Sequence, residues 1–437
     1  MIKPDTKIAL CLAAVCAVVY TINLRVVDAG DCWASRYLPI SILKEGNLDL
    51  NEFRGLKFWI IETKSRGKIY RVTNFPVLPG ILATPVFGAA WLMGIPITRI
   101  SSAYLGKLAA TLFSALSVVF VFLILRRLLL RKAALLLSAV YAFGTCTWAI
   151  SSQSLWQHGL SQALLAIALY CLFRASREPA FAGYCGLILS AAVLARYTNG
   201  LIFVVIFIYV AHRHRSQLAR FLLLSLPAAV FFLLYNWYYF DNPGVFAYCW
   251  AGGKFYASWT AALPGLLFSP NRGLFVFSPV LIFSLPGAVR AWKSGSDHAV
   301  LFRYLIVTMV AYVLLMAKWF WWWGGHCYGY RMLVDLSPLF VVLIGPAFPA
   351  LVRNRPTRLL FAISAALSIY IQILGALYYD ATWEWKVAGI DRNPSSVWWV
   401  KNGLFQYTLR RAAHDGWKVR RTVFLPPEHR GHNKRYL

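Results

Sequence analysis

The sequence predicts an all-α integral membrane protein, a polytopic helical bundle of about eleven spans. Three observations carry this. The chain is 59% hydrophobic and only 14% charged, where a soluble domain carries roughly 25% charged residues. Apolar runs of about 20 residues, each able to cross a bilayer, recur along its whole length. The basic residues gather in short clusters between those runs: Arg126-Arg127 with Arg131-Lys132, Arg174 with Arg177, Arg213, Arg215 and Arg220, Arg290 with Lys293 and Arg303, and Arg353, Arg355 and Arg358. With Lys3 and Lys7, these mark the cytoplasmic side by the positive-inside rule.

That assignment orders the spans. The first, residues 8–27, is too long for a signal-peptide core and lacks a clear small-residue cleavage site, so it reads as a retained anchor running outward. The second is 101–125. Segments 133–150 and 156–173 follow as a hairpin with an outer tip, then 180–195 and 199–211 around an outer turn at Arg196. Segment 219–240 opens an outer loop that ends near Arg272. The last four are 274–290, 303–321, 333–352 and 358–379. The run 78–97 does not fit as a span, because crossing there would put Arg126-Arg127 outside. Its Pro79, Pro85 and Pro96 and its glycines suit a broken interfacial helix. The reading therefore divides the chain into a transmembrane domain, 1–379, whose first external loop is 28–100, and an extramembrane tail, 380–437, placed externally.

The formal charge of +28 does not point to nucleic acid, since topology explains where the basic residues sit; membrane lipid headgroups are the natural partners of such clusters. Eight cysteines show neither a CxxC pair nor Cys/His zinc spacing. Most read as small hydrophobes, and a disulfide among Cys32, Cys249 and Cys327 stays open. Of the 16 acidic residues, Asp28, Asp31, Glu45, Asp49 and Glu52 crowd into the first external loop. Such a concentration beside a span marks a polar site at the bilayer surface.

After the first span come Gly30-Asp31 with Arg36-Tyr37, then Gly67-Lys68-Ile69-Tyr70, Asn74-Phe75-Pro76 and Pro79-Gly80. Further along are Arg126-Arg127, Leu194-Ala195-Arg196-Tyr197-Thr198, Tyr235-Asn236 and Phe240-Asp241-Asn242-Pro243. Late in the chain come Trp323-Gly324-Gly325, Tyr328-Gly329-Tyr330-Arg331, Asp335 and Pro338. In this order and placement the chain resembles GT-C glycosyltransferases of the protein-mannosyltransferase and aminoarabinose-transferase type. The resemblance implies a polyprenyl-phosphate (undecaprenyl-phosphate) sugar donor, an acceptor glycan, lipid or protein, and a site on the external face of a bacterial plasma membrane. It also implies a catalytic acid in the first external loop, here Asp31, with Asp28 behind it. The chain departs from the pattern in three places: Cys32 follows Asp31 where a glutamate is frequent, Asn74-Phe75-Pro76 replaces a lysine-containing stretch, and His158 replaces an acid. No cofactor is implied with certainty, and a divalent metal stays open.

Such a transfer needs a base for the acceptor proton, cations for the departing phosphate and a surface for the sugar. Asp31 suits the first role, although an aspartate there also suits the N-cap of an amphipathic helix carrying Trp33, Tyr37, Ile40 and Leu43. Cation candidates are Arg36, Lys68, Arg71, Arg196, Lys254, Arg272, Lys318 and Arg331. Arg196 and Arg331 stand out at junctions of spans with short outer turns, where snorkelling to headgroups is the competing reading. Arg36 has the alternative of pairing with a carboxylate of its own loop. His158 would bond acceptor or phosphate, or act as an interfacial histidine, and Asp335 is expected to pair with Arg331 one turn away. Tyr328 belongs to an aromatic block with Trp319, Trp321, Trp322, Trp323 and Tyr330, which suits either sugar stacking or an interfacial belt. Single displacement with inversion follows from the lack of a second carboxylate nucleophile. The rival class is a transporter or flippase of envelope precursors, against which the placement of nearly all charges at span ends argues. A non-catalytic lipid-binding subunit is the third.

Overall fold

The computed structural model describes residues 4–55, 60–244, 254–419, 421, 423 and 436–437. Seven segments within it are long and apolar enough to cross a bilayer: Pro4–Thr21, Arg99–Leu128, Gln157–Ala175, Arg215–Phe240, Ala299–Lys318, Arg331–Arg353 and Arg355–Tyr378. The protein is a multi-pass membrane protein. The other four expected spans are shorter. Helix Arg131–Gly144 continues into a π-turn at Thr147–Ser151, and Ala180–Ala195 and Gly200–Arg213 are separate short helices. The run after Arg272 breaks into Leu274–Phe277, a 3₁₀ turn Pro279–Phe283 and helix Ser284–Lys293. Ser278, just before Pro279, takes φ −141° and ψ 71°, outside the helical region that a following proline disfavours, and the helix breaks there.

Ion pairs and ring contacts fix which helix ends lie together. Asp5, at the start of α1 (Pro4–Thr21), accepts from Arg126 and Arg131, each at 3.1 Å. One end of the bundle thus gathers the start of α1 and the basic turn between Arg99–Leu128 and Arg131–Gly144. Arg127 lies over the Tyr170 ring, Phe173 packs on His298 and Phe302, and His212 meets the Tyr304 hydroxyl at 3.1 Å, which together add the Arg213 turn to that end. Helix–helix contact is close where small residues line it, as where Gly186 lies against the Phe221 backbone.

The opposite end carries residues 22–98. There α2 (Gly30–Glu45) is followed by a hairpin of β1 (Ile60–Ser65) and β2 (Lys68–Thr73), paired from Ile60 with Thr73 to Ser65 with Lys68. Arg66 and Gly67 both take positive φ, 51° and 76°, the requirement of a two-residue turn that matches strand twist. Then comes α3 (Leu78–Leu92), leading to α4 (Arg99–Leu128), which opens with a capping box between Thr98 and Ser101.

Beside the expected helices the loop contains this hairpin, and one expectation is overturned. Helix α2 was expected to be amphipathic on the membrane surface, yet Cys32 to Ser41 are buried without a break. A helix enclosed on every side sits inside protein. Its lid is α3, one continuous helix despite Pro85, because Gly80 lets the two backbones meet: a Cβ there would stand 2.9 Å from Leu38 Cβ and from the Ser35 carbonyl oxygen.

Candidate active site

The chain leaves α1 through Ile22, Asn23 and Leu24, the last at φ 48°. Asn23 is held by Lys107, which reaches out of α4 to donate to Asn23 Oδ1, to the Arg25 carbonyl (2.5 Å) and to Gln153 Oε1 (3.0 Å). Arg25 in turn donates to the Tyr379 carbonyl at 2.5 Å. This buried polar cluster pins the start of the acid-rich loop to three other segments. Sequence reasoning missed Lys107, although it is the one charged residue within 101–125 and so carried a signal.

Beyond this anchor the two aspartates part ways. Asp28 is fully buried, paired with Arg36 at 2.9 Å, and accepts from Trp33 Nε1 (3.3 Å) and Ser154 Oγ (3.5 Å). Burial pushes its carboxyl up to about 6 against the opposing pull of Arg36. Arg36 therefore pairs within its own loop and faces no outer mouth. Asp31 lies in the first turn of α2, whose N-cap is Ala29, so capping is not its task. Its Oδ2 meets Arg331 Nη1 at 2.7 Å, and the two side chains keep 17% and 13% exposure. The Arg331 guanidinium also lies over the Trp156 ring, 4.8 Å from its centroid.

Behind Arg331 is a second buried group. Asp335 pairs with Arg196 and with His158 Nδ1 (3.0 Å), and Arg196 also meets His158 and Thr198 Oγ1 (3.0 Å). The expected Arg331–Asp335 pair does not form, and the reason is local. Arg331–Leu336 is a 3₁₀ helix, and at three residues per turn positions i and i+4 do not share a face. The two side chains diverge, one to the partly open mouth and one to the interior. His158 and Arg196 are thus enclosed, with their polar groups directed to Asp335.

The remaining expected residues lie elsewhere. Arg272 is buried and spends its guanidinium inside: on the carbonyls of Trp323 (3.0 Å), Asn271 (2.7 Å) and Gly325 (3.0 Å), and on Glu384 (3.0 Å). Tyr328 is buried with its hydroxyl on the Ile371 carbonyl at 2.8 Å and its ring against Phe277 and Tyr379. Neither side chain is presented to a substrate. Arg71 serves its own hairpin, bonding the Phe53 carbonyl (2.8 Å) and Glu62 (3.4 Å), and Lys68 is exposed beside the hairpin turn. Cys32 and Cys327 are free thiols, and Cys249 lies outside the described residues.

Among the described residues no three His, Cys, Asp or Glu side chains converge. Asp31 faces a guanidinium where a divalent ion would need further oxygen donors, so the donor set around it does not fit one.

No protein-family model matches the chain, and no curated protein matches it. Solved structures do. The chain superposes on the crystal structure of ArnT from Cupriavidus metallidurans in the apo state with a TM-score of 0.53 at 12% identity, over 86% of this chain and 76% of that one. The chain has a GT-C-like fold. The same ArnT bound to undecaprenyl phosphate aligns at a TM-score of 0.49 and 10% identity, over 85% of this chain and 70% of that one. The apo Archaeoglobus fulgidus oligosaccharyltransferase aligns at 0.49 and 12%, over 91% of this chain and 60% of that longer one. The fold assignment rests on the first of the three.

Proposed function

We propose that the protein is a membrane glycosyltransferase that moves a sugar from a polyprenyl-phosphate carrier to an acceptor on the external face of the plasma membrane. The observation that carries this reading is the Asp31–Arg331 pair, a carboxylate and a guanidinium in contact yet both partly exposed at one mouth. The GT-C-like fold and the ordered motifs around both residues support it. A buried structural pair, such as Asp28 with Arg36, has no such opening.

In this mechanism the donor phosphate competes for Arg331, whose charge and forked donors suit a phosphate. Asp31 is then released to take the proton from the acceptor hydroxyl or amine. The acceptor atom bonds to the anomeric carbon as the carbon–oxygen bond to phosphate breaks. The electron pair leaves with polyprenyl phosphate, and the sugar inverts. Arg196 and His158 act from behind, fixing the 3₁₀ segment through Asp335. Lys107 and Arg25 fix the loop that carries Asp31.

The test uses the purified full chain, a panel of polyprenyl-phosphate sugars and release of free polyprenyl phosphate. Asp31→Asn is expected to lower turnover about 10²- to 10⁴-fold, and Arg331→Ala about 10²- to 10³-fold. Lack of turnover with every donor, or full turnover in Asp31→Asn, overturns the reading.

A further inference from the structure

The C-terminal segment supplies a second set of residues beside the same mouth. His326 Nε2 pairs with Asp391 Oδ2 at 3.0 Å, and the His326 ring packs on Trp385 with centroids 4.0 Å apart. Trp385 is 66% exposed, the most open tryptophan among the described residues, so an indole face is free beside the pair. Gly324, two residues before His326, packs against Arg331, where an added Cβ would stand 3.5 Å from Arg331 Cβ, which sets the cluster close to the Asp31–Arg331 pair.

Arg272 explains how the cluster is built. Its guanidinium bonds the Gly325 carbonyl and the Glu384 carboxylate, and Tyr379 donates to the same Glu384 oxygen at 3.0 Å. The next residue after Gly325 is His326, and the next after Glu384 is Trp385. One buried ion pair therefore locks two loops so that their following side chains meet at the surface. Gly324 and Gly325 at positive φ, 80° and 63°, give the first loop its sharp course. A rigid support for an exposed aromatic and a polar pair is what a binding surface needs.

We infer that Trp385, His326 and Asp391 form an acceptor subsite for a hydroxylated sugar ring, stacked on the indole and hydrogen-bonded by the His–Asp pair. A pyranose presents an apolar C–H face and a rim of hydroxyls, and the cluster offers a broad ring face beside donors and acceptors. The inference rests on the transferase reading and extends it, since it names the acceptor class and the residues that hold it.

The test separates the two. Methyl and octyl glycosides serve as probes in saturation-transfer NMR on the full chain in nanodiscs, which needs no turnover. Wild type is expected to show transfer to ring protons of at least one glycoside, with Trp385→Ala weakening binding roughly ten-fold and Trp385→Phe retaining most of it. With an active donor, Trp385→Ala and His326→Gln should raise the KM for that glycoside with a smaller change in kcat. Unchanged glycoside binding in Trp385→Ala overturns the subsite, as does a fall in kcat with KM unchanged. Glycoside binding without any donor turnover keeps the subsite and sinks the transferase reading alone.

Discussion

At the scale of the residue, two neighbouring aspartates of one loop make opposite predictions. Asp28 accepts from Arg36, Trp33 and Ser154 in a closed site, so Asp28→Ala strands those buried donors and should cost about 3–5 kcal/mol of stability. Asp31→Asn removes half of a partly exposed pair and should leave thermal unfolding in detergent within about 1 kcal/mol of wild type while activity collapses. Unfolding curves of the two variants, set beside donor turnover, check this; equal destabilisation would defeat the division. The pH dependence has a definite sign. Asp28 titrates near 6 when folded and near 3.8 when not, so between those values the folded chain holds more protons. Its contribution is fully present below about pH 4 and lost as pH rises through 6. The wild-type unfolding temperature should accordingly fall across that window more steeply than that of Asp28→Asn. The internal pairing of Arg36 was one of the two readings open in the sequence, because opposite charges sat in one short loop. The ties of Asp31 to Arg331 and of Arg272 to Glu384 were not, since partners hundreds or scores of residues apart leave no local trace.

At the scale of the element, the site depends on a helix that must stay enclosed. Helix α2 carries Asp31, and α3 closes over it through Gly80. Gly80→Val forces branched carbons against Leu38 and the Ser35 carbonyl, and overpacking of this kind costs about 1–3 kcal/mol. Turnover should fall about ten-fold or more although no reacting group is touched, because α2 must shift; donor release by Gly80→Val measured beside Gly88→Ala, whose added carbon meets only Leu43 at 3.6 Å, is the check. Equal activity in the two variants would mean that α3 does not position Asp31. The long apolar helices were legible because length and hydropathy alone define them. The hairpin was not, since six-residue strands around Arg66-Gly67 give a period-two pattern too short to stand out. The Arg331–Asp335 pairing failed for a related reason: sequence spacing was read with an α-helical period, while the backbone there runs as 3₁₀.

At the scale of the whole molecule, charge is sorted between two ends. Asp5, Arg126 and Arg131 meet at one end, and the acid-rich loop with Asp31, Arg331 and the His326 cluster meets at the other. One end could be anticipated from the basic clusters, because positive residues between spans mark where the chain turns. The ordered fold of the segment after Tyr378 was not readable, since its π-turn and short helix lack an apolar stripe long enough to declare themselves. The sorting predicts a labelling pattern. Among the described cysteines only Cys11 is exposed, so a chain with Cys11→Ser and Cys249→Ser gives a quiet background. In intact cells a membrane-impermeant maleimide should label Lys68→Cys, beside the hairpin turn, and leave Arg177→Cys, between Gln157–Ala175 and Ala180–Ala195, untouched. Permeabilised cells should show both. A reversed pattern would put Asp31 on the cytoplasmic face, away from an outward-presented carrier, and the proposed reaction would have to be abandoned in that form. Labelling of both positions from outside would instead break the two-ended arrangement itself, because the Arg177 turn, whose helix carries Tyr170 against Arg127, would then share a face with the hairpin.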